Sequence, residues 1–213
     1  MTLGFIIDRE PLPYEEGLLQ LRRLHSQRVE GLIPDTVLLT EHQPVITLGR
    51  YADTSGVLAS STRLEALGVA VHRIERGGEA TVHLPGQLVA YPVISLKAAG
   101  FGVRDYINRL EEAMLRVAAR FGIEVGRTVG LPGVYAEGCK FGSVGVAVKR
   151  GVTLHGLALN VDCDLTYFDL INPCGRSDIR PTSLARLLAR AVSMKEARAA
   201  LRENLSDVLA ATP

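Results

Sequence analysis

VGVAVKRGVTLHGLALNV, residues 144–161, decides the fold. Val144, Val146 and Val148 recur at every second position, the period that sends alternate side chains to opposite faces of a strand. Lys149-Arg150-Gly151 then offers a turn, and Val152–Val161 returns as an antiparallel partner. The strand-like pattern reaches back to residue 132, so residues 132–161 read as one β region. Gly142, Gly145 and Gly156 lie inside it. Glycine weakens a strand interior, so each marks relief of twist or a place where something passes close to the backbone, and a slim alkyl chain is one such thing. Burying seven carbons of a medium acyl chain would contribute roughly 5 kcal/mol.

Outward from this hairpin, strands and helices mix without strict alternation. Residues 3–8, Val37–Thr40, Val45–Leu48, Val69–Ile74 and Leu88–Leu96 read as strands, with a turn at His42-Gln43-Pro44. Helical spacing appears after Pro13 (Tyr14, Leu18, Leu21, Leu24) and over Thr62–Leu67, which Gly68 ends. The clearest helix runs from Val103 through Tyr106, Leu110, Met114 and Val117 to Phe121 and stops at Gly122. A last one carries Met194, Ala197, Leu201, Leu205 and Val208. This pattern predicts an α+β fold, a mixed β-sheet flanked by helices. At 213 residues, 47% of them hydrophobic, the whole chain (1–213) is expected to be a single domain with a sizeable core.

Composition excludes several functions. A net charge of +1 with no run of like charges argues against nucleic-acid binding by bulk charge. No stretch approaches the length of a membrane span, and the N-terminus turns acidic at Asp8 too soon for a signal peptide, so a cytoplasmic protein is expected. Three cysteines (Cys139, Cys163, Cys174) without a CxxC pair make a poor disulfide framework and a poor zinc site. No metal or other cofactor is expected.

The chemistry concentrates on a thiol and an amine. Only four of the 24 basic residues are Lys, so this chain uses Arg wherever a charge alone suffices. Lys, unlike Arg, gives up its proton when desolvated, so Lys140 in its apolar, Gly-rich setting is either a proton-transfer group or a surface lysine with no role. Among the thiols, Cys163 sits between Asp162 and Asp164, whose charges should raise its pKa. Cys139, next to Lys140, should point to the opposite face of a strand. Cys174, in Asn172-Pro173-Cys174-Gly175, has no adjacent acid and is the best nucleophile candidate. A thiol reacts as thiolate, and an ordinary Cys is mostly protonated at neutral pH. At an effective dielectric of about 20, unit charges about 4 Å apart attract by roughly 4 kcal/mol. Each pKa unit takes only about 1.4 kcal/mol. A Cys174/Lys140 pair brought together by folding would therefore hold an acyl group as a thioester and pass it on.

The segment Arg76-Gly77-Gly78-Glu79-Ala80-Thr81-Val82-His83 leads through Leu84-Pro85-Gly86 to Gln87. It is glycine-rich, but it has neither a phosphate-loop nor a dinucleotide-binding pattern. Its glycines admit close backbone approach to a ligand and expose N–H groups. Arg76 is a candidate to hold an anionic or carbonyl group. His83 is either a hydrogen-bond donor or a satisfied core histidine.

Three stretches taken together, RGGEATVHLPGQLVAYPV (76–93), GCKFGSVGVAVKRGVTLHGLALNVDCDL (138–165) and INPCG (171–175), with PTSL (181–184) behind, resemble the bacterial octanoyltransferase family. The resemblance spans residues 36–185 and implies a fold like that of biotin and lipoate protein ligases. It implies transfer of an octanoyl group from octanoyl acyl carrier protein to a lysine of lipoyl domains, those of 2-oxoacid dehydrogenases and of the glycine-cleavage carrier protein. By the same resemblance Cys174 carries the thioester and Lys140 is its partner. Arg76, Gly77, Gly78, Glu79, Ala80, Thr81, Val82 and His83 bind substrate, as do Ser143, Val144 and Gly145 and Gly156, Leu157 and Ala158. Leu84 and Phe141-Gly142-Ser143 depart from the family pattern and bear on chain-length preference. Two other readings stand beside it: an ATP-dependent lipoate or biotin protein ligase, and a non-catalytic module that binds acyl carriers. Neither gives the Cys174 loop as clear a purpose.

Overall fold

A computed structural model of the chain describes residues 3–172 and 179–210. Its strands are β1 (Gly4–Ile7), β2 (Thr36–Thr40), β3 (Val45–Leu48), β4 (Ala70–Arg73), β5 (Ala80–His83), β6 (Gln87–Val93), β7 (Gly126–Thr128), β8 (Leu131–Ala136), β9 (Cys139–Lys149) and β10 (Val152–Asn160). Its helices are α1 (Tyr14–Val29), α2 (Ser61–Ala66), α3 (Leu96–Ala99), α4 (Val103–Arg120), α5 (Leu184–Leu188) and α6 (Met194–Ala210). The expected hairpin is β9–β10, paired from Lys149↔Val152 to Gly142↔Leu159. Arg150 and Gly151 make its two-residue turn, both with positive φ (53° and 76°), the conformation that matches strand twist.

That hairpin lies in a seven-stranded sheet of order β1-β2-β6-β10-β9-β8-β7. The sheet is mixed, β1 running parallel to β2 and the other pairs antiparallel. Both faces of its centre are buried, which is why β6 and β10 read as continuous apolar runs. Leu88 and Ala90 of β6, with Leu157 and Leu159 of β10, pack against α4 and α6 through Leu110, Met114, Val117, Leu201 and Leu205. On the other face Val89, Tyr91, Val93 and Leu154 pack against Leu21 and Leu24 of α1. This is the mixed sheet flanked by helices that the sequence predicts.

Three features depart from the sequence reading. A second, three-stranded sheet of order β4-β3-β5 forms apart from the first, with its own core of Ile46, Leu48, Val82, Leu64 and Leu170. The Gly-rich segment is not all loop, because residues 80–83 are β5, paired antiparallel with β3. The strand expected over Leu88–Leu96 stops at Val93, and Ser95 caps the short α3 by accepting from the Ala98 N–H.

Pro92 shows how the main sheet tolerates a proline. It has no N–H for the ladder. Opposite it, the Thr153 hydroxyl donates to the Pro92 carbonyl (2.6 Å) and accepts from the Ile94 N–H (2.9 Å). Gly156 lies alongside, where a Cβ would stand 2.2 Å from the Ala90 oxygen and 2.7 Å from Pro92 Cδ. Gly156→Ala must push β10 off β6, and overpacking of this kind costs about 1–3 kcal/mol. We expect a lower denaturant midpoint for that variant; one as stable as the wild type would refute the close approach.

Candidate active site

A cavity of about 100 Å³ lies where the small sheet meets the β9–β10 hairpin. Its walls are mostly apolar, with Ile74, Val89, Leu157, Phe168 and Ile179 among them.

The residues predicted from sequence fall around this cleft as follows. Lys140, Arg76, Gly78, Glu79, Ala80, Thr81 and His83 line it, as do Ser143, Val144 and Gly145 of β9 and Gly156, Leu157 and Ala158 of β10. Gly77 and Val82 do not. Gly77 donates its N–H to the Val146 carbonyl (2.9 Å), tying the Gly-rich segment to β9. Val82 is fully buried in the core of the small sheet. Cys174 lies outside the described residues. On either side of it Phe168 and Ile179 border the cleft, and the Asn172 N–H is anchored on the Gly56 carbonyl (2.8 Å).

Lys140 is fixed by its backbone. Its N–H donates to the Arg180 carbonyl (2.7 Å), and its carbonyl accepts from the Thr182 N–H (2.9 Å). A bridge to Pro181 thus docks the chain just after residue 178 onto the edge of β9. The lysine Nζ stands 5.6 Å from the centre of the Tyr135 ring, on the cross-strand partner residue. Gly133 makes room for the side chain: its φ is +113°, and a Cβ there would lie 2.3 Å from the Gly142 oxygen and 3.3 Å from Lys140 Cε. The register shift between Val134 and Tyr135 is the bulge this requires.

Arg76 is buried and bound to protein. Its Nη2 donates to the Thr47 carbonyl (2.8 Å) and to Thr47 Oγ1 (2.9 Å), and its Nη1 donates to the Gly77 carbonyl (3.0 Å). These bonds join the Gly-rich segment to β3. The glycines inside the β region are crowded by the protein itself. The space a side chain would take at Gly142 holds Met114 Sδ, at Gly145 Arg76 Cδ, and at Gly156 the Ala90 carbonyl. The alkyl-chain reading of these glycines is therefore corrected on their Cβ side.

Sequence reasoning missed a buried polar cluster. Tyr14, Tyr91, His155 and Asn160 also line the cleft. His42 Nε2 and the Tyr91 hydroxyl are 2.8 Å apart, and the rings of Tyr14 and His83 stack 6.3 Å apart, nearly parallel. His155 carries a φ of +59° inside β10, a rare conformation for a non-glycine residue. A run of hydrogen bonds crosses from β5 to the far side: His83 Nδ1 to Gln87 Oε1 (2.7 Å), Gln87 Nε2 to Asn160 Oδ1 (2.9 Å), and Asn160 Nδ2 to the Thr182 carbonyl (2.9 Å). The available signal was polar residues, His155 and Asn160, in an otherwise apolar strand. Among the described residues no three His, Cys, Asp or Glu side chains converge as metal ligands do, and no helix is long and apolar enough to cross a membrane.

Burial sets the protonation of this cluster. It pushes His42 down to about 4 and, with His42 nearby, His83 down to about 3. It also pushes the Cys163 thiol up to about 12, ahead of the smaller effects of Asp162 and Asp164 that the sequence had suggested as the cause. An imidazole held neutral in the fold stabilises it fully above the ordinary value of 6.5, and that stability is lost as pH falls toward the folded value. Below 6.5 the unfolded chain takes up protons that the folded chain refuses. We expect the denaturant midpoint to fall between pH 6.5 and 5, by up to about 1.4 kcal/mol per pH unit for each of His42 and His83. A midpoint flat over that window would show these rings taking up protons in the fold as readily as in the unfolded chain.

Comparison with known proteins places the chain. The family model described as the lipoyl protein ligase A/B catalytic domain matches residues 13–206. Proteins named octanoyltransferase are similar along most of the chain. That of Chloroflexus aggregans is 50% identical over 82% of this chain and 80% of its own length. That of Syntrophobacter fumaroxidans is 42% identical over 91% and 85%. Among solved structures, lipoate-protein ligase A bound with ATP superposes with a TM-score of 0.76 at 17% identity, covering 98% of this chain and 86% of that one. Biotin protein ligase from Aquifex aeolicus gives 0.57 at 15% identity, covering 98% and 70%. These two likenesses concern the fold.

Proposed function

The chain belongs to the lipoyl protein ligase A/B catalytic domain family as one of its octanoyltransferases, and from that premise we propose a two-step acyl transfer carried by Cys174 and Lys140. The observation that carries this reading is the placement of Lys140. It borders a mostly apolar cleft, and its backbone is hydrogen-bonded to Arg180 and Thr182, a few residues beyond Cys174 in sequence.

In the first step the Cys174 thiolate, its counter-charge the Lys140 ammonium, attacks the carbonyl carbon of octanoyl acyl carrier protein. The new C–S bond forms, the donor C–S bond breaks, and the departing carrier thiolate takes a proton from Lys140. In the second step the neutral amine of a lipoyl-domain lysine attacks the acyl-enzyme. Lys140, now an amine, accepts the proton shed by the attacking nitrogen. The C–S bond to Cys174 breaks, the amide is complete, and the thiolate–ammonium pair is restored. Exchange of one thioester for another is nearly neutral and amide formation is downhill, so neither ATP nor any other cofactor is consumed. Backbone N–H groups of the Gly-rich segments stabilise the oxyanion, and the residues along 76–83, 143–145 and 156–158 form the substrate pocket. Residues 1–213 act as one catalytic domain in the cytoplasm, with lipoyl domains of 2-oxoacid dehydrogenases and the glycine-cleavage carrier protein as acceptors.

Incubation with octanoyl acyl carrier protein should add one octanoyl group, on Cys174, as read by mass spectrometry. No adduct on the wild type, or an undiminished one in Cys174→Ser, would overturn the mechanism. Lys140→Arg keeps the charge and loses the base, and general-base assistance is worth about 10²–10⁴ in rate. The amide-forming step should fall by that order, and full activity in this variant would remove Lys140 from proton transfer. Turnover with free octanoate plus ATP, and none with the carrier thioester, would make the chain a ligase instead.

A further inference from the structure

The hydrogen-bonded run from His83 to Thr182 has a direction, and backbone carbonyls fix it. A carbonyl oxygen only accepts. The Val82 carbonyl faces Gln87 Nε2 (3.2 Å), and the Thr182 carbonyl faces Asn160 Nδ2 (2.9 Å). Those contacts assign nitrogen and oxygen in both amides. Asn160 therefore turns its oxygen to Gln87 Nε2 (2.9 Å), and Gln87 turns its oxygen to His83 Nδ1 (2.7 Å). Nδ1 must carry the hydrogen in that bond. Burial keeps His83 neutral, so its single N–H is spent on Gln87 and Nε2 is a bare lone pair. Nε2 makes no hydrogen bond to the described residues and is not among the sealed-off polar atoms of the interior, while the ring borders the cleft. The donor role considered from sequence is thus used up on Gln87.

What enters the cleft decides what this lone pair meets. An octanoyl chain and a thioester carbonyl bring no hydrogen-bond donor. The amine that attacks in the second step does, and it has to present its own lone pair to the acyl carbon. We infer that His83 Nε2 is the acceptor that takes an N–H of the attacking lysine and orients it, with Gln87 and Asn160 as positioning residues that act through the His83 ring. The assignment rests on the two-step transfer proposed above. A neutral, weakly basic imidazole suits the task, because it orients the amine without removing its proton, which falls to Lys140. The two roles are mechanically joined: Thr182, at the end of the run, is also the residue whose N–H holds the Lys140 carbonyl (2.9 Å).

Two measurements on the full chain test this. Nitrogen NMR of protein carrying isotope-labelled histidine should show His83 protonated on Nδ1 and bare on Nε2, and Gln87→Met should release that preference. A proton on Nε2 in the wild type would overturn the inference whatever the activity. Single-turnover kinetics then separate the two steps, with acylation of Cys174 by octanoyl acyl carrier protein timed first and transfer to a purified lipoyl domain second. His83→Phe keeps a flat ring beside Tyr14 and lacks the acceptor. Its transfer step should drop by about tenfold to a hundredfold more than its acylation step, the worth of a hydrogen bond to a charged or polarised partner. His83→Gln, which restores an oxygen acceptor, should recover at least part of that difference. Equal losses in both steps, or no recovery, would leave His83 a structural residue. If the wild type itself forms no acyl-enzyme, the two-step reading fails, and the NMR result still reports on the tautomer.

Discussion

Two backbone hydrogen bonds at Lys140, one to Arg180 and one from Thr182, hold together everything the site requires. Each is worth only about 0.5–1.5 kcal/mol net. Their importance is geometric. Lys140 is at the start of β9, where side chains alternate between faces, so a slip of one residue would send the amine away from the cleft and bring Cys139 into its place. The pairing with residues 180–182 pins that register at the strand end where it would otherwise be weakest. It also ties the amine to the segment that follows Cys174 in sequence. The space left at Gly133, the bulge between Val134 and Tyr135 and the ring of Tyr135 then steer the lysine stem along β8.

The same economy appears in the Gly-rich segment. Arg76 looks like a ligand-binding cation in a sequence, yet its guanidinium is bonded to both the carbonyl and the hydroxyl of Thr47. Burying an Arg is costly unless its donors find partners, and here Thr47 of the small sheet and the Gly77 carbonyl accept from its two terminal nitrogens. The arginine thereby fastens the small sheet to the hairpin: Gly77, its neighbour, bonds the Val146 carbonyl of β9. The guanidinium thus helps hold the small sheet to the hairpin at one wall of the cleft. Loss of that contact would let the walls move independently.

What could be read from the sequence was whatever local periodicity dictates. The valine alternation at 144–148, the stripe of α4 and the stop at Gly122 each depend on neighbours within one turn or one strand, and each sits where expected. The small sheet was not legible, because β3 takes one partner in parallel at β4 and another antiparallel at β5, pairings set by packing and not by any short pattern. The shift of Cys163 was foreseen in direction and misjudged in cause, since neighbouring acids are visible in sequence and burial is not. His155 and Asn160 were passed over for the same reason. Inside an apolar strand a polar residue either finds partners or destabilises the fold, and the partners (Glu75 near one, Gln87 and Thr182 on the other) are distant in sequence.

The electrostatics of the cleft follow from that burial. His42, His83 and Tyr91 are kept neutral by desolvation around a space with apolar walls. In such surroundings the charge on Lys140 gains more from a neighbouring anion than it would in water, because the effective dielectric is lower. In the proposed mechanism the Lys140 ammonium and the Cys174 thiolate are two halves of one ion pair, present while the thiol is free and lost when it is acylated. The proposed alternation of Lys140 between acid and base needs no movement of the lysine and no change of fold, only formation and loss of the anion beside it.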